Sequence, residues 1–278
     1  MTNRNIALIT GANSGVGLEL TKKLLIEGWE VIALTRSNFF KDLQIKEALQ
    51  NNQLRTYHAN FTDFLELKNT LIEIKSKEKY IDILFNNAGV SFGEYHYTIK
   101  GREVHFEVNT LIPYIIIREL KDLLLKGKKK TIINTSSNSH LFLNKFDLNS
   151  LIYPKSNFKK VTGSYALSKL ALSLWTNELA TELITEGIKI RSVCPGPSKT
   201  QLTTGDRIPF YLLPFRNFLF SHPSKGASRL YDAALYFSDT GIFINKGKDT
   251  PFKFKEQASF VLKQMDKIYQ EDYINGNS

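Results

Sequence analysis

Of 278 residues, only one is cysteine, two are tryptophan and two are methionine. A lone Cys194 excludes a disulfide framework and any structural zinc site built from cysteines, and no metal site of another kind is expected. Long apolar runs are missing too. The most apolar late stretch, 208–220, is broken by Pro209, Pro214 and Arg216 and is too short to span a bilayer. An apolar strand begins by Ile6, leaving no room for the basic and apolar parts of a signal peptide. Together these absences point to a cytoplasmic protein in a reducing compartment. Acidic residues are in deficit: 27 Asp and Glu against 37 Lys and Arg leave a net charge of +10. Such a surplus serves nucleic acid, an anionic membrane or anionic nucleotides. The lysines are scattered, however, and the one tight run, 126–130, reads as a solvated helix end with cations beside the last carbonyls. No nucleic-acid motif accompanies the charge, so no nucleic-acid partner is expected.

What is present is a globular composition, 42% hydrophobic and 23% charged, which excludes a disordered chain. Short apolar runs at 5–10, 30–34, 54–59, 81–86, 131–135, 189–193 and 241–244 alternate with helical patterns. Val16, Leu20 and Leu24 repeat at helical spacing, as do Phe64, Leu67, Leu71 and Ile74, and Leu167, Leu170 and Leu174. Thr62-Asp63 and Ser164 are placed to cap the helices that follow them. The expectation is an α/β fold: a single Rossmann-type domain over 1–278, with a doubly wound parallel sheet of about seven strands flanked by helices. A nucleotide end would occupy 5–110 and a catalytic and substrate end 111–278. Two segments, 138–163 and 198–223, have no clean period and read as lids or binding rims.

The first run leads into Thr10-Gly11-Ala12-Asn13-Ser14-Gly15-Val16-Gly17, and a helix follows. Glycines at 11, 15 and 17 permit a tight turn, close approach to a pyrophosphate and close helix–sheet packing. The helix N-terminus then offers N–H groups and a positive dipole end to phosphate. At the end of the second run, where a carboxylate would accept from a ribose hydroxyl, stands Thr35-Arg36-Ser37. An arginine there can pair with a 2′-phosphate, which favours NADP(H) over NAD(H).

Further on come Asn86-Asn87-Ala88-Gly89, Ser137, Tyr165-Ala166-Leu167-Ser168-Lys169 and Pro195-Gly196. In that order, with the glycine turn, they resemble the short-chain dehydrogenase/reductase family over almost the whole chain. Tyr165 and Lys169 lie four apart, on one face of a helix. A free phenol has a pKa of about 10, and a nearby ammonium lowers it toward working range as an acid/base. Ser137 would hydrogen-bond the reacting oxygen and stabilise its developing charge. The resemblance implies that Lys169 also holds the nicotinamide ribose and that Asn109 joins a proton relay. It implies cofactor contacts from Gly11, Asn13, Ser14, Gly15, Val16, Gly17, Arg36, Asn60, Phe61, Asn87, Ala88, Gly89, Tyr165, Lys169, Pro195, Gly196 and Thr200. Asn60 replaces the family's usual aspartate toward adenine, and Ile112 replaces a glycine, pointing to a local shift of that helix. The long interval from Ser137 to Tyr165 is similar to the retinol-dehydrogenase and carbonyl-reductase-like branch. His140 reads as a partly exposed loop histidine, and Cys194 as an inert buried thiol.

The reaction implied is hydride transfer between NADP(H) and a lipophilic carbonyl or alcohol of retinoid, steroid or aldehyde type. The alternative is a non-catalytic NADP(H)-binding sensor on the same fold. The resemblance also implies a homodimer or homotetramer. The apolar 208–220 segment has three readings: a wall of the substrate site, core or subunit packing, or peripheral membrane contact helped by Arg207 and Arg216.

Overall fold

Apolar runs too short for helices bury both faces only when helices cover the sheet they form. The computed structural model of the chain describes residues 4–40, 42–155, 157–159, 163–197 and 221–276, and it has that architecture. Strands β1 (Ile6–Thr10), β2 (Glu30–Thr35), β3 (Leu54–His58), β4 (Ile83–Asn86), β5 (Thr131–Thr135), β6 (Lys189–Cys194) and β7 (Phe243–Asn245) are parallel. Their order is β3-β2-β1-β4-β5-β6-β7. The expected seven are joined by an eighth, β8 (Lys248–Asp249), antiparallel to β7. Its two-residue turn, Lys246-Gly247, has positive φ at both positions, 52° and 75°, as a tight hairpin requires.

Helices α1 (Gly15–Ile26), α2 (Leu43–Gln50) and α8 (Pro223–Leu235) cover one face, and α3 (Phe64–Lys77), α5 (Ile112–Lys126) and α7 (Ser164–Leu183) cover the other. Strand alternation divides the core: Ile6 and Leu8 of β1 join the second layer, Ala7 and Ile9 the first. Leu20, Leu24, Leu67, Leu71, Ile74, Leu170 and Leu174 are fully buried, each worth roughly 1.5–3 kcal/mol of transfer free energy. Helix α9 (Ala258–Ile268) then packs on α7, burying Val261 and Met265. No helix among the described residues is long and apolar enough to cross a membrane.

Several local expectations change. Asp63 caps α3 by accepting the Glu66 N–H at 3.0 Å, but Ser164 is the first residue of α7 rather than its cap, a place taken by Gly163. The 138–163 interval contains a 3-10 helix (Asn138–Phe142) and α6 (Leu148–Ile152), capped by Asp147. His140 is buried in that 3-10 helix, its ring 4.5 Å from Phe243 and 5.9 Å from Phe252, not partly exposed. Two aromatic rings on 243–252 close over it, a tertiary contact that local sequence does not record. The lysine run ends α5 at Lys126 and turns into β5 with the Lys128 N–H bonded to buried Asp82 at 2.7 Å. Asp82 also accepts the Ile6 N–H at 2.9 Å, fastening the start of β1 to the turn before β5.

Candidate active site

The strand order reverses between β1 and β4, and ligand crevices in open α/β sheets form beyond the carboxyl ends of strands at such a point. The glycine turn follows β1, the Asn87-Ala88-Gly89 segment follows β4, Ser136 and Ser137 follow β5, and Pro195-Gly196 follows β6. The sheet thus gathers at one end residues distant in sequence.

At the glycine turn, Gly11 and Gly15 have φ of 64° and 54°. A Cβ on Gly17 would sit 2.1 Å from the Gly11 carbonyl oxygen, so α1 can start this close only with hydrogen at that position. Thr10 Oγ1 accepts the N–H groups of Asn87 and Ala88 at 3.0 and 2.9 Å, and Asn87 Nδ2 donates to the Thr10 carbonyl at 3.1 Å. Asn87 and Ala88 are therefore tied to the turn. Ser14 precedes α1 without capping it, and the first turn of α1 holds no acidic residue. That donor end fits an anionic pyrophosphate.

Asn13 Nδ2 donates to the carbonyl and hydroxyl of Ser37, at 2.7 and 3.0 Å. The bond holds the loop on which exposed Arg36 stands. Asn60 Oδ1 accepts from the Thr62 N–H and hydroxyl at 3.2 and 3.0 Å, so the amide oxygen expected to face adenine already has two donors. Phe61 packs on the core beside it, and Val16 packs on the opposite layer. Gly196 has φ of 84°, and a Cβ there would meet Arg229 Nη1 at 1.9 Å; the same guanidinium donates to the Pro195 carbonyl at 3.0 Å. Thr200 and the whole of 208–220 lie outside the described residues.

The reacting end is built on α7. Tyr165 and Lys169 share a face, with Lys169 Nζ 6.0 Å from the phenol ring centroid and donating to the Thr135 carbonyl at 2.8 Å. A Cβ on Gly89 would lie 3.0 Å from Asn109 Oδ1 and 3.4 Å from this ammonium, so the segment after β4 runs close beside both. Burial pushes Tyr165 up to about 12, while the neighbouring Ser137 hydroxyl pulls the other way. Burial lowers Lys169 to about 8. Ser136, by contrast, faces α7, bonded to the Lys169 carbonyl and the Ser173 hydroxyl at 3.1 and 2.8 Å. Of the two serines, Ser137 stands beside the phenol. Cys194 is buried at the end of β6, where its sulfur accepts the Asn138 N–H at 3.3 Å and burial pushes the thiol up.

Asn109 lies in a π-helix (Glu107–Leu111) that joins α4 (Val104–Phe106) to α5, immediately before Ile112. Pro113 has no N–H to return to the Asn109 carbonyl, which favours the wider turn. The side chain bonds both main-chain groups of Val90, at 2.8 and 3.0 Å, and donates to Ser168 Oγ at 3.1 Å. Ser168 in turn donates to the Tyr165 carbonyl at 2.8 Å. Two residues that the motif reading passed over complete the cluster. His105 sits edge-on to Tyr165, and Glu103 is bonded to it at 2.7 Å. The signal available was spacing: His105 and Asn109 are four apart.

The family described as short chain dehydrogenase matches residues 5–146 and 156–208. Retinol dehydrogenase 11 of Mus musculus is 30% identical over 83% of this chain and 73% of its own length. A short chain dehydrogenase of Arthrobotrys oligospora is 28% identical over 95% of this chain and 88% of its own. Among solved structures, the NADPH-bound carbonyl reductase from chicken fatty liver superposes with a TM-score of 0.67 at 22% identity, covering 90% of this chain and all of that one. The 4-hydroxyisoleucine dehydrogenase complexed with NADH gives the same score at 23% identity, covering 88% and 98%. A glycine turn at the switch point, a tyrosine–lysine face on α7 and these matches together make the chain an oxidoreductase of the short-chain dehydrogenase family, on its retinol-dehydrogenase-like branch.

Proposed function

We propose that the chain is an NADP(H)-dependent oxidoreductase acting, as one domain over 1–278, on a lipophilic carbonyl or alcohol, with Tyr165 as acid/base. The observation that carries the reading is the meeting of Tyr165, Ser137 and Lys169 at the carboxyl ends of β5 and β6. A nicotinamide cofactor, when bound, supplies or accepts the hydride. The uncapped start of α1 with Gly11, Ser14, Gly15 and Gly17 would hold its pyrophosphate. Exposed Arg36, on the loop steadied by Asn13, supports a 2′-phosphate and hence NADP(H). The retinol dehydrogenases among the relatives support a lipophilic substrate.

In the reducing direction the substrate oxygen accepts two hydrogen bonds, from the Tyr165 and Ser137 hydroxyls. As charge grows on that oxygen, Tyr165 passes its proton across and Ser137 stabilises what remains. A phenol held near 12 keeps its proton at neutral pH and is ready as the acid. The Lys169 ammonium one turn away favours the phenolate left behind. Asn109, through Ser168 and the Tyr165 main chain, fixes where that turn of α7 sits.

The test is Tyr165→Phe, assayed by NADPH oxidation with retinal, steroid ketones and medium-chain aldehydes. Removing one hydroxyl should lower kcat by about 100-fold or more, the usual scale of general acid catalysis, with NADPH affinity kept within a few-fold. A variant that retains most of its turnover would overturn the role. Wild-type protein that neither binds NADPH saturably nor oxidises it with any carbonyl would overturn the whole reading.

A further inference from the structure

Two side chains on one helix edge hold alternate residues of the segment that follows β4. Asn109 serves Val90, and His105 Nε2 accepts the Phe92 N–H at 2.9 Å. A helix here does for 90–92 what a neighbouring strand would do, satisfying main-chain groups at a period of two. An amide can only donate, so Nε2 carries the lone pair and Nδ1 the proton. That proton is donated to Glu103 Oε1 at 2.7 Å, while Glu103 Oε2 accepts the N–H groups of His105 and Phe106 at 2.9 and 3.3 Å. Both residues are wholly buried, so the tautomer is set by the protein alone. The imidazole meets Tyr165 at 6.4 Å between ring centroids with 79° between planes, and Phe92 at 5.7 Å and 72°.

We propose that the Glu103–His105 pair is a positioning element of the reaction centre: it braces the Tyr165 ring from the side and fixes the main chain of 90–92, which runs on from Gly89 beside Lys169. Neither residue touches substrate. The proposal rests on the reading of Tyr165 as acid/base, and its consequence is that turnover depends on the lone pair at Nε2. His105→Phe keeps an aromatic edge toward Tyr165 but accepts nothing from Phe92. His105→Gln restores an acceptor on a side chain of similar reach.

The two variants are compared with the wild type by hydrogen exchange at the Phe92 amide and by steady-state kinetics with NADPH and a carbonyl. In the Phe variant the Phe92 amide should exchange at least about 10-fold faster and kcat should fall at least about 10-fold, with KM for NADPH within about twofold. The Gln variant should regain protection at Phe92 and most of the lost kcat, which a merely space-filling role for His105 would not produce. If the Phe variant does not fold, failure of the Gln variant to keep protection and turnover overturns the proposal by itself. An active wild type whose Phe variant keeps kcat and Phe92 protection overturns the positioning role and leaves Tyr165 in place. A wild type silent with every carbonyl overturns the Tyr165 reading instead, and with it the catalytic half of the proposal.

Discussion

His140 shows what a single buried residue contributes to the pH response of the molecule. Among the described residues neither ring nitrogen has a hydrogen-bond partner, and burial lowers its pKa from 6.5 to about 4. The unfolded chain therefore binds a proton at His140 between pH 6.5 and pH 4 that the folded chain does not. Stability rises with pH wherever the unfolded state holds more protons, so this contribution is complete above pH 6.5 and is lost as pH falls toward 4. Replacing His140 by Phe, which suits a site between Phe243 and Phe252, should flatten that part of the curve. Thermal melts of both proteins from pH 7.5 to about 4 check it: the wild-type Tm should drop more steeply over this interval than that of the variant. A parallel fall in the two would remove His140 as the cause. In the folded chain the imidazole is uncharged at neutral pH and places no charge near Ser137, three positions before it.

At the scale of elements, the joint between β1 and α1 depends on the absence of one carbon atom. Gly17→Ala would drive a methyl group toward the Gly11 carbonyl at 2.1 Å and Asn87 Nδ2 at 2.6 Å. The helix would have to withdraw from the turn, carrying its N–H groups away from the place where phosphate would lie. NADPH affinity should fall by about 10-fold or more, the equivalent of about 1.4 kcal/mol, as measured by fluorescence titration. Circular dichroism should show helix content retained, because one face of α1 remains buried by Leu20 and Leu24. Elements of this kind were legible in advance: β1, β5 and the glycine turn are local patterns of apolar residues and glycine. The Tyr165–Lys169 face was legible for the same reason, being two residues four positions apart on one helix. The buried Glu103–His105 pair was not, since its meaning comes from Phe92 and Tyr165, brought to it by β4 and α7. The caps divide likewise: Asp63 bonds within its own turn, whereas Ser164 lost its expected role to the backbone of Gly163. β8 escaped notice because two charged residues carry no periodic signal.

Across the whole molecule, the C-terminal end is fastened to the turn that holds Asn109. Arg102, nearly inaccessible, donates to Glu107 Oε2 at 2.7 Å, also reaches Asp272 of the last π-helix (Tyr269–Ile274), and lies over the Phe64 ring at 5.4 Å. Burial pushes Glu107 up even though the guanidinium opposes it. Arg102→Met keeps much of the bulk but leaves that carboxylate without its charged partner, a loss of about 3–5 kcal/mol for a broken buried pair. Urea unfolding should show it, and Arg102→Met with Glu107→Gln should recover part of the difference. Equal stability of the single and double variants would mean that the pair acts only by packing. The overall architecture followed from strand–helix alternation, but this long-range fastening did not, because residues 102 and 272 are related only by the folded surface.

The hairpin of β7 and β8 gives the sheet a blunt end. A seventh parallel strand standing alone would present a row of free amides and carbonyls to any extended segment that drifted past. Here two exposed charged residues, Lys248 and Asp249, turn back over that row within a span of two positions. Growth by strand addition is thereby refused at this margin, and crowded copies of the molecule gain no template there on which to polymerise.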